Sequence, residues 1–440
     1  MGKKITFKSI RNRIKRQYWL SGLLIIVIGL GLWVYLGQRS ILRTPSDILP
    51  ISHSHQPAGG KIISQEVIRN YSVEEVNALA KQNYGADTVP AQNAISKRLL
   101  KYTSVDTQGQ EIDLYARVYL PRTNTSSKIP LISFGPGTTG IGDECAASLE
   151  VPALANWANY ESHAAAYAGQ GYAVVITDYE GMRDSSRLHH YMVGELEGRA
   201  VLDAARATFN LGDYKNLDRN RLFLAGYSQG GQAVAWADKI APSYAPDLKI
   251  KGLVAFAPVS DVTTTLADIA RGANIVWFGP YVLVSYSDYY DQTFPLNTIL
   301  QAKWIPTLKT DVLGHCINSV KYWPKAEEVY TPEFLTALKT STLASSYPDL
   351  AADLVANRSW SGPTATPKLI NQGQKDNIIL PDQQTNALSL LCRAGSGPAK
   401  IQTYPDASHY SIMVKSYKDT LAWLTKAQNG EQLPSSCTGV

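Results

Sequence analysis

The sequence predicts an α/β fold in which helices cover both faces of a mostly parallel β-sheet. Short apolar segments recur along the chain, and segments with the apolar period of a helix lie between several of them. This alternation is typical of parallel sheets, because a connection between two parallel strands has to cross a face of the sheet. The chain has 440 residues, of which 45% are hydrophobic, so one large domain has enough apolar material for its core.

The predicted strands form two groups. Residues 99–107 and 111–120 are rich in β-forming residues and are separated by a Gln-Gly-Gln turn at 108–110. The second group consists of short apolar segments that run into loops and predict buried strands at 129–137, 172–181, 221–231, 250–258, 366–376 and 399–409.

Helices are predicted beside these strands. Residues 198–210 and 229–240 have a helical apolar period, and a capping box at Ser72-Val-Glu-Glu75 begins a short helix that continues to about Gln82. A long segment, about 262–366, interrupts the alternation and is too long for a loop. We interpret it as a cap inserted over the C-terminal edge of the sheet. Its many aromatic side chains fit a substrate-binding cap or plain core packing: Trp277, Phe278, Tyr281, Tyr286, Tyr289, Tyr290, Phe294, Trp304, Tyr322 and Trp323.

The N-terminal segment has the pattern of a membrane anchor. Residues 1–18 contain seven Lys and Arg and no acidic residue, and residues 19–37 carry no charge. Nineteen helical residues span about 28 Å, close to the thickness of a bilayer core. The positive-inside rule predicts a cytoplasmic tail, a transmembrane anchor and, after a polar spacer at 38–70, an extracytoplasmic domain at 71–440. The alternative is a cleaved signal peptide, for which this apolar segment is long and lacks an A-x-A site.

The remaining composition excludes several classes of partner. The net charge is +5, and the seven basic residues of the tail account for all of it, so the main domain is close to neutral and has no basic surface typical of nucleic-acid binding. His189 and His190 are adjacent and belong to no Cys/His cluster, so we expect neither a metal nor another cofactor. The four cysteines have no C-x-x-C spacing, and their even number in an exported domain predicts disulfides, with three pairings open.

A sequence pattern that carries chemistry lies at 226–230, where Gly-Tyr-Ser-Gln-Gly matches G-x-S-x-G. In an α/β-hydrolase this pattern turns a strand sharply into a helix with the serine at the tip, and the glycines let strand and helix pass closely. The apolar strand before it and the helix after it fit this context. Ser228 is therefore the predicted nucleophile.

A serine nucleophile needs a base and an acid, which follow it in the order Ser, acid, His in this fold. Only His315 and His409 come after Ser228. We predict His409 as the base because it follows a strand, whereas His315 lies in the insertion. Asp376 follows the preceding strand and is the predicted acid. Its rivals are Asp382, which begins a helix, and Asp406, which lies three residues before His409.

An oxyanion hole is also expected. The backbone N–H after the nucleophile, that of Gln229, is one predicted donor. The glycine-rich loop 135–140, which follows an earlier strand, is predicted to supply the other from Gly137 or Thr138.

These motifs together resemble the secretory lipase family, over about residue 72 to the C-terminus. The resemblance rests on four segments in the family's order, followed by the predicted acid and base: 134–140 (FGPGTTG), 177–183 (TDYEGMR), 189–207 (HHYMVGELEGRAVLDAARA) and 226–231 (GYSQGG). The sequence departs from the family in its membrane anchor and in lacking the His that many relatives have before the glycine of the oxyanion segment.

The resemblance implies an α/β-hydrolase with a cap, triad roles for Ser228, Asp376 and His409, and hydrolysis of carboxylic esters that include triacylglycerols. It also implies one disulfide between the oxyanion region and the cap, Cys145–Cys316, and one near the C-terminus, Cys392–Cys437. The expected substrate is a lipid or a small ester. The alternatives are an acyltransferase or peptidase on the same triad, or a non-catalytic surface adhesion protein. The oligomeric state is left open.

Overall fold

The structure is a computed structural model, and it describes residues 59–123, 127–151, 157–184, 186–317 and 323–437. The predicted basic tail 1–18, the predicted anchor 19–37 and most of the predicted spacer 38–70 lie outside these ranges. Within the ranges, no helix is both long enough and apolar enough to cross a membrane.

A nine-stranded sheet forms the centre of this fold. Its strands are β1 (Ile62–Tyr71), β2 (Ala94–Val105), β3 (Glu111–Arg122), β4 (Ile129–Gly135), β5 (Ala173–Thr177), β6 (Leu217–Tyr227), β7 (Ile250–Phe256), β8 (Lys368–Gly373) and β9 (Ala399–Tyr404). They lie in the order β1-β2-β3-β5-β4-β6-β7-β8-β9. The pairs β1/β2, β2/β3 and β3/β5 are antiparallel, and all the later pairs are parallel. The mostly parallel sheet is the one that the sequence predicts.

Helices lie on both faces of the sheet and in a long insertion. They are α1 (Val73–Tyr84), α2 (Tyr160–Gly169), α3 (Gly194–Phe209), α4 (Gln229–Tyr244), α5 (Val262–Asp268), α6 (Phe278–Tyr289), α7 (Leu296–Ile299), α8 (Leu308–Leu313), α9 (Ala326–Val329), α10 (Pro332–Lys339), α11 (Leu343–Ser346), α12 (Pro348–Ala356), α13 (Asp382–Arg393), α14 (Ile412–Lys415) and α15 (Tyr417–Gln428).

Alternate residues of each buried strand belong to different apolar clusters. In β4, Leu131 belongs to a cluster with residues of α3, α4 and α13, whereas Ile132 belongs to a cluster with residues of α1, α2 and α15. Successive side chains of a strand point to opposite faces, so the two clusters are the cores on the two sides of the sheet. Helix α1 begins as predicted: the Ser72 hydroxyl accepts from Glu75 N, and the Glu75 carboxylate accepts from Ser72 N.

The spacer predicted at 38–70 is wrong over its last part, where β1 forms the edge of the sheet. β1 pairs antiparallel with β2, for example Gln65 with Leu100. An edge strand is paired on one side only, and eight of the ten residues of β1 are exposed. Ile63, Val67 and Ile68 are all 41–50% exposed, and their pattern therefore resembles a polar connection more than a buried strand.

A helical insertion, from α5 to α12, separates β7 from β8 at the place predicted for the cap. Its buried aromatic residues, such as Phe278 and Tyr286, pack on one another and form its own core. The same cluster includes Ile141 after β4, Tyr191 after β5 and Ile378 after β8. The insertion thus packs on loops that follow the C-terminal ends of parallel strands. Tyr322 lies outside the described residues.

Two disulfides join distant parts of the chain. Cys145, after β4, is bonded to Cys316 in the insertion, and Cys392 in α13 is bonded to Cys437. This is the pairing that the family resemblance implies. A backbone hydrogen bond of 2.8 Å from Ile317 N to Thr139 O lies beside the first disulfide. The loop after β4 is therefore tied to the insertion both covalently and by a hydrogen bond.

A buried ion pair fixes α2 against the sheet. Lys97 Nζ in β2 lies 2.7 Å from Glu161 Oε1 in α2, and the two side chains are 8% and 7% exposed. Burial lowers the pKa of Lys97, and Glu161 opposes this shift. The pair matters for the site described below, because Tyr160 next to Glu161 contacts the loop after β4.

Replacing Glu161 by Ala is therefore expected to destabilise the fold, because it removes the ion-pair partner of the buried Lys97. Loss of one partner of a buried pair costs about 3–5 kcal/mol in the free energy of unfolding. Urea unfolding followed by circular dichroism measures this change. The matched control is Asp87→Ala, which breaks an exposed pair with Lys418 and should change little. If the two substitutions lowered the free energy of unfolding equally, the stabilising role of the buried Lys97–Glu161 pair would be contradicted.

Candidate active site

Ser228 lies at a sharp turn between β6 and α4, as the sequence predicts. Its backbone has φ 56° and ψ −114°, which is strained for a residue with a Cβ atom. Gly226 and Gly230 permit this turn: a Cβ atom on Gly226 would overlap the carbonyl of Gly230, and one on Gly230 would overlap the carbonyl of Gly135 in β4. The spacing of the motif therefore follows from the close approach of α4 to two strands.

The structure brings the three predicted triad residues together. His409 Nε2 lies 3.0 Å from Ser228 Oγ, and His409 Nδ1 lies 2.8 Å from Asp376 Oδ2. All three residues are at most 7% exposed. The carboxylate accepts a hydrogen bond from Nδ1–H, so Nε2 of a neutral imidazole has the lone pair that accepts the hydrogen bond of the serine hydroxyl.

The loop after β8 holds Asp376 firmly. Its Oδ1 accepts hydrogen bonds of 2.9 Å from the backbone N–H groups of Ile378 and Ile379. Its Oδ2 accepts a further one from Gln372 Nε2, at 3.2 Å, besides that from His409. A carboxylate with this many donors has one fixed orientation, which in turn fixes the imidazole ring.

The rival residues have other partners. Asp382 pairs with Arg271, and Asp406 is exposed and pairs with Lys375, which lowers the Asp406 pKa. His315 Nδ1 lies 2.7 Å from Asp311 O at the end of α8.

The loop after β4 differs in one respect from the prediction for the oxyanion hole. Gly137 N donates to Tyr160 Oη at 2.7 Å, so this N–H is already used and Gly137 is not available as a donor. Thr138 remains: its side-chain hydroxyl is 2.9 Å from Tyr191 Oη, which holds the residue in place. Within the described residues, the backbone N–H groups of Thr138 and Gln229 have no acceptor.

A cavity of about 240 Å³ opens onto Ser228. The described residues that line it are mainly aromatic and apolar, and their only ionisable groups are His409 and tyrosine hydroxyls. They are Thr138, Trp157, Ala158, Tyr160, Tyr227, Ser228, Trp277, Ile317, Ile378, His409 and Tyr410. Tyr410 is 71% exposed. The cavity therefore suits an uncharged, largely apolar ligand.

The two adjacent histidines occupy separate hydrogen-bonded positions. His189 is buried, which lowers its pKa to about 3, and its Nδ1 lies 2.9 Å from Glu180 O. His190 lies between the carboxylates of Glu180 and Asp288 at 2.9 and 3.0 Å. Burial opposes the charged form of His190, but the two carboxylates together raise its pKa. Within the described residues, the one cluster with metal-ligand spacing is Glu144 with Cys145 and Cys316, whose sulfurs are bonded to each other.

The sequence did not reveal a buried polar group behind the nucleophile. Gln229 Nε2 donates to Glu197 Oε1 at 2.7 Å, and it also lies 3.1 Å from His189 Nε2. Burial raises the pKa of Glu197 to about 8, although the hydrogen bonds from Gln229 and from Met192 N act to lower it. The one sequence signal was an acidic residue at an otherwise apolar position of α3.

The sheet order, the serine turn and the arrangement of the three residues define an α/β-hydrolase fold. Solved structures support this class. A protein of Legionella pneumophila superposes with a TM-score of 0.74 at 17% identity, covering 85% of this chain and 100% of that one. Candida antarctica lipase A in its closed state gives 0.64 at 22% identity, with 87% and 85% covered. A rice cell wall degrading esterase of Xanthomonas oryzae gives 0.68 at 17% identity, with 86% and 100% covered.

Residues 162–436 match the model of the secretory lipase family, and the chain belongs to this family. Among curated relatives, a secreted triacylglycerol lipase of Malassezia furfur is 24% identical over 276 residues, which are 62% of this chain and 54% of the relative. A trichothecene C-3 esterase of Fusarium sporotrichioides is 26% identical over 273 residues, with 58% and 57% covered. The chain spans about half the length of these curated relatives.

The substitution Gly230→Ala tests the close approach at the serine turn. The added methyl group would overlap the backbone of β4, so α4 has to move, and we expect a loss of about 1–3 kcal/mol in the free energy of unfolding. Urea unfolding measures it. Gly212→Ala is the matched control, since its Cβ atom would meet open space. If both variants were equally stable, the packing described here would be incorrect.

Proposed function

We propose that the chain hydrolyses carboxylic esters through an acyl-enzyme intermediate on Ser228. The observation that carries this proposal is the unbroken hydrogen-bonded series from Ser228 Oγ through His409 to Asp376, at 3.0 and 2.8 Å. His409 Nε2 removes the hydroxyl proton as Ser228 Oγ attacks the ester carbonyl. Asp376 keeps the imidazole in the required tautomer and stabilises the imidazolium that forms.

The developing oxyanion needs two donors that are in place before the reaction. The backbone N–H groups of Gln229 and Thr138 have no acceptor among the described residues, in contrast to that of Gly137, which donates to Tyr160. The tetrahedral intermediate then collapses, and His409 transfers its proton to the leaving alcohol. In the second half of the reaction, His409 activates water, which releases the acid from Ser228.

The proposed substrates are uncharged esters, with triacylglycerols and other lipid esters as the first class to test. The aromatic cavity beside Ser228 offers apolar contact, and among the described residues that line it there is no Lys or Arg for an anionic ligand. The secreted triacylglycerol lipase and the trichothecene C-3 esterase among the relatives act on esters by their names, and we extend this class to the present chain. In this proposal the helical insertion is the cap that contacts the acyl chain.

The triad assignment predicts that Ser228→Ala lowers kcat at least about 10⁴-fold and that Asp376→Asn lowers it by about the same factor. The assay is the release of p-nitrophenol from esters of increasing acyl length, with and without an emulsion. Ser389→Ala, on the surface of α13, is the control serine and should keep full activity. Activity that survives Ser228→Ala would overturn the assignment. Product formed with an added alcohol would identify an acyltransferase instead.

We also propose that residues 19–37 anchor the enzyme in a membrane with the catalytic domain outside the cytoplasm. An Arg near the centre of a spanning helix costs about 2.5–3.5 kcal/mol of insertion free energy. We therefore expect the full chain to resist alkaline extraction from membranes, Ile26→Arg to be released, and the control Ile26→Leu to be retained. A mature N-terminus beyond residue 37, found by N-terminal sequencing, would show a cleaved signal peptide and contradict the anchor.

A further inference from the structure

The carboxyl group of Glu197 lies directly behind the candidate oxyanion hole. Glu197 is 1% exposed and Gln229 is fully buried. The two helices that carry them approach closely, because Gly198 has no Cβ atom: such an atom would come within 2.8 Å of Ala237 N in α4. Glu197 Oε1 accepts hydrogen bonds from Gln229 Nε2 at 2.7 Å and from Met192 N at 2.9 Å. Among the described residues, Oε1 is the only side-chain oxygen of Glu197 that accepts a hydrogen bond.

Two buried oxygens of this pair have no partner among the described residues: Glu197 Oε2 and Gln229 Oε1. Both are acceptors when Glu197 is ionised, and two acceptors cannot bond to each other. A proton on Glu197 Oε2 changes this, because the carboxylic acid then has an O–H donor and the amide has a free acceptor. Acid and amide, already joined by the bond from Nε2 to Oε1, can then close a ring of two hydrogen bonds.

The surroundings of Glu197 do not compensate a negative charge. In the described chain it forms no ion pair. The titratable groups that face it are His189, reached through Gln229, and the hydroxyls of Tyr179, Tyr191 and Tyr286. Burial raises the pKa of each of these tyrosines and lowers that of His189, so all four are neutral near pH 7. An ionised carboxylate in such an environment is costly.

The Gln229 side chain is also connected to the loop that carries Thr138, the second part of the candidate oxyanion hole. His189 Nδ1 donates to Glu180 O, so its Nε2 is the acceptor for the second proton of Gln229 Nε2. The ring of His189 stacks on Tyr179 with 9° between the planes, and Tyr179 Oη donates to Pro136 O at 2.8 Å. The side chain of Gln229 is therefore connected both to Glu197 and to the loop that carries Thr138.

From this arrangement we propose that Glu197 is held as a neutral carboxylic acid and is a positioning residue: it fixes the Gln229 side chain and thereby aims the Gln229 backbone N–H at the oxyanion. The inference rests on the proposed ester hydrolysis. Loss of the proton removes the O–H donor and places a negative charge close to the developing oxyanion. Activity should then fall on the alkaline side as Glu197 ionises, in a pH range set by its pKa of about 8.

The test compares Glu197→Gln and Glu197→Ala with the unchanged enzyme, from pH 5 to pH 10, by initial rates on a soluble p-nitrophenyl ester corrected for spontaneous hydrolysis. Gln cannot ionise but can form the same two-bond ring with Gln229. We expect Glu197→Gln to retain most of kcat at pH 7 and to lose the alkaline decline near pH 8. Glu197→Ala should lower kcat about 10–100-fold with KM changed much less, since a displaced donor weakens transition-state binding. An identical alkaline decline in the unchanged enzyme and in Glu197→Gln would overturn the proposal.

A second measurement does not depend on activity. The infrared difference spectrum between the unchanged enzyme and Glu197→Gln should contain the carbonyl band of a protonated carboxylic acid at pH 7, and this band should disappear above pH 8. Absence of the band at pH 7 would refute the neutral acid, even if Glu197→Ala were simply unfolded. Ser228→Ala should keep the band. If ester hydrolysis does not depend on Ser228 while the band is present, the proposed function fails and the protonated Glu197 stands.

Discussion

The backbone of Ser228 is held in a conformation that side-chain-bearing residues rarely adopt, and such strain costs about 1–3 kcal/mol. Three glycines, Gly135, Gly226 and Gly230, allow the surrounding backbone to pack closely enough to keep it there. This contact positions the start of α4 next to β4, and so it places the N–H of Gln229 beside the loop that carries Thr138. The parallel strand order then brings the loops after β8 and β9 to the same edge, where Asp376 and His409 meet the serine.

The sequence was informative wherever a backbone constraint leaves few permissible residues. The serine turn requires small residues at fixed offsets, and these can be read directly from the chain. Asp376 and His409 could be predicted because each follows an apolar strand, and the carboxyl ends of parallel strands share one edge of the sheet. The chain order of the fold excluded the histidines before Ser228, and the position of each later candidate relative to a strand decided among the rest. In the sheet itself, the buried strands were recognisable from continuous apolar segments.

Features that depend on contacts between distant residues could not be read in the same way. β1 lies at an edge, where eight of its ten residues are exposed, and its pattern is that of a polar connection. The N–H of Gly137 is used by Tyr160, which lies 23 positions later and on another element. Glu197 lies within an apparently ordinary amphipathic helix, in which an acidic residue is normally expected to face water. Only the close packing of α3 and α4 puts it behind the nucleophile.

The disulfide between Cys145 and Cys316 bridges 171 positions of sequence. In the chain-entropy model, a cross-link that closes so large a loop lowers the conformational entropy of the unfolded state. This stabilises the folded state by about 5 kcal/mol. Its two ends belong to the loop after β4 and to the helical insertion, and a bond of this kind forms and persists in an oxidising environment. A polypeptide that stayed among cytosolic thiols would lack this tether.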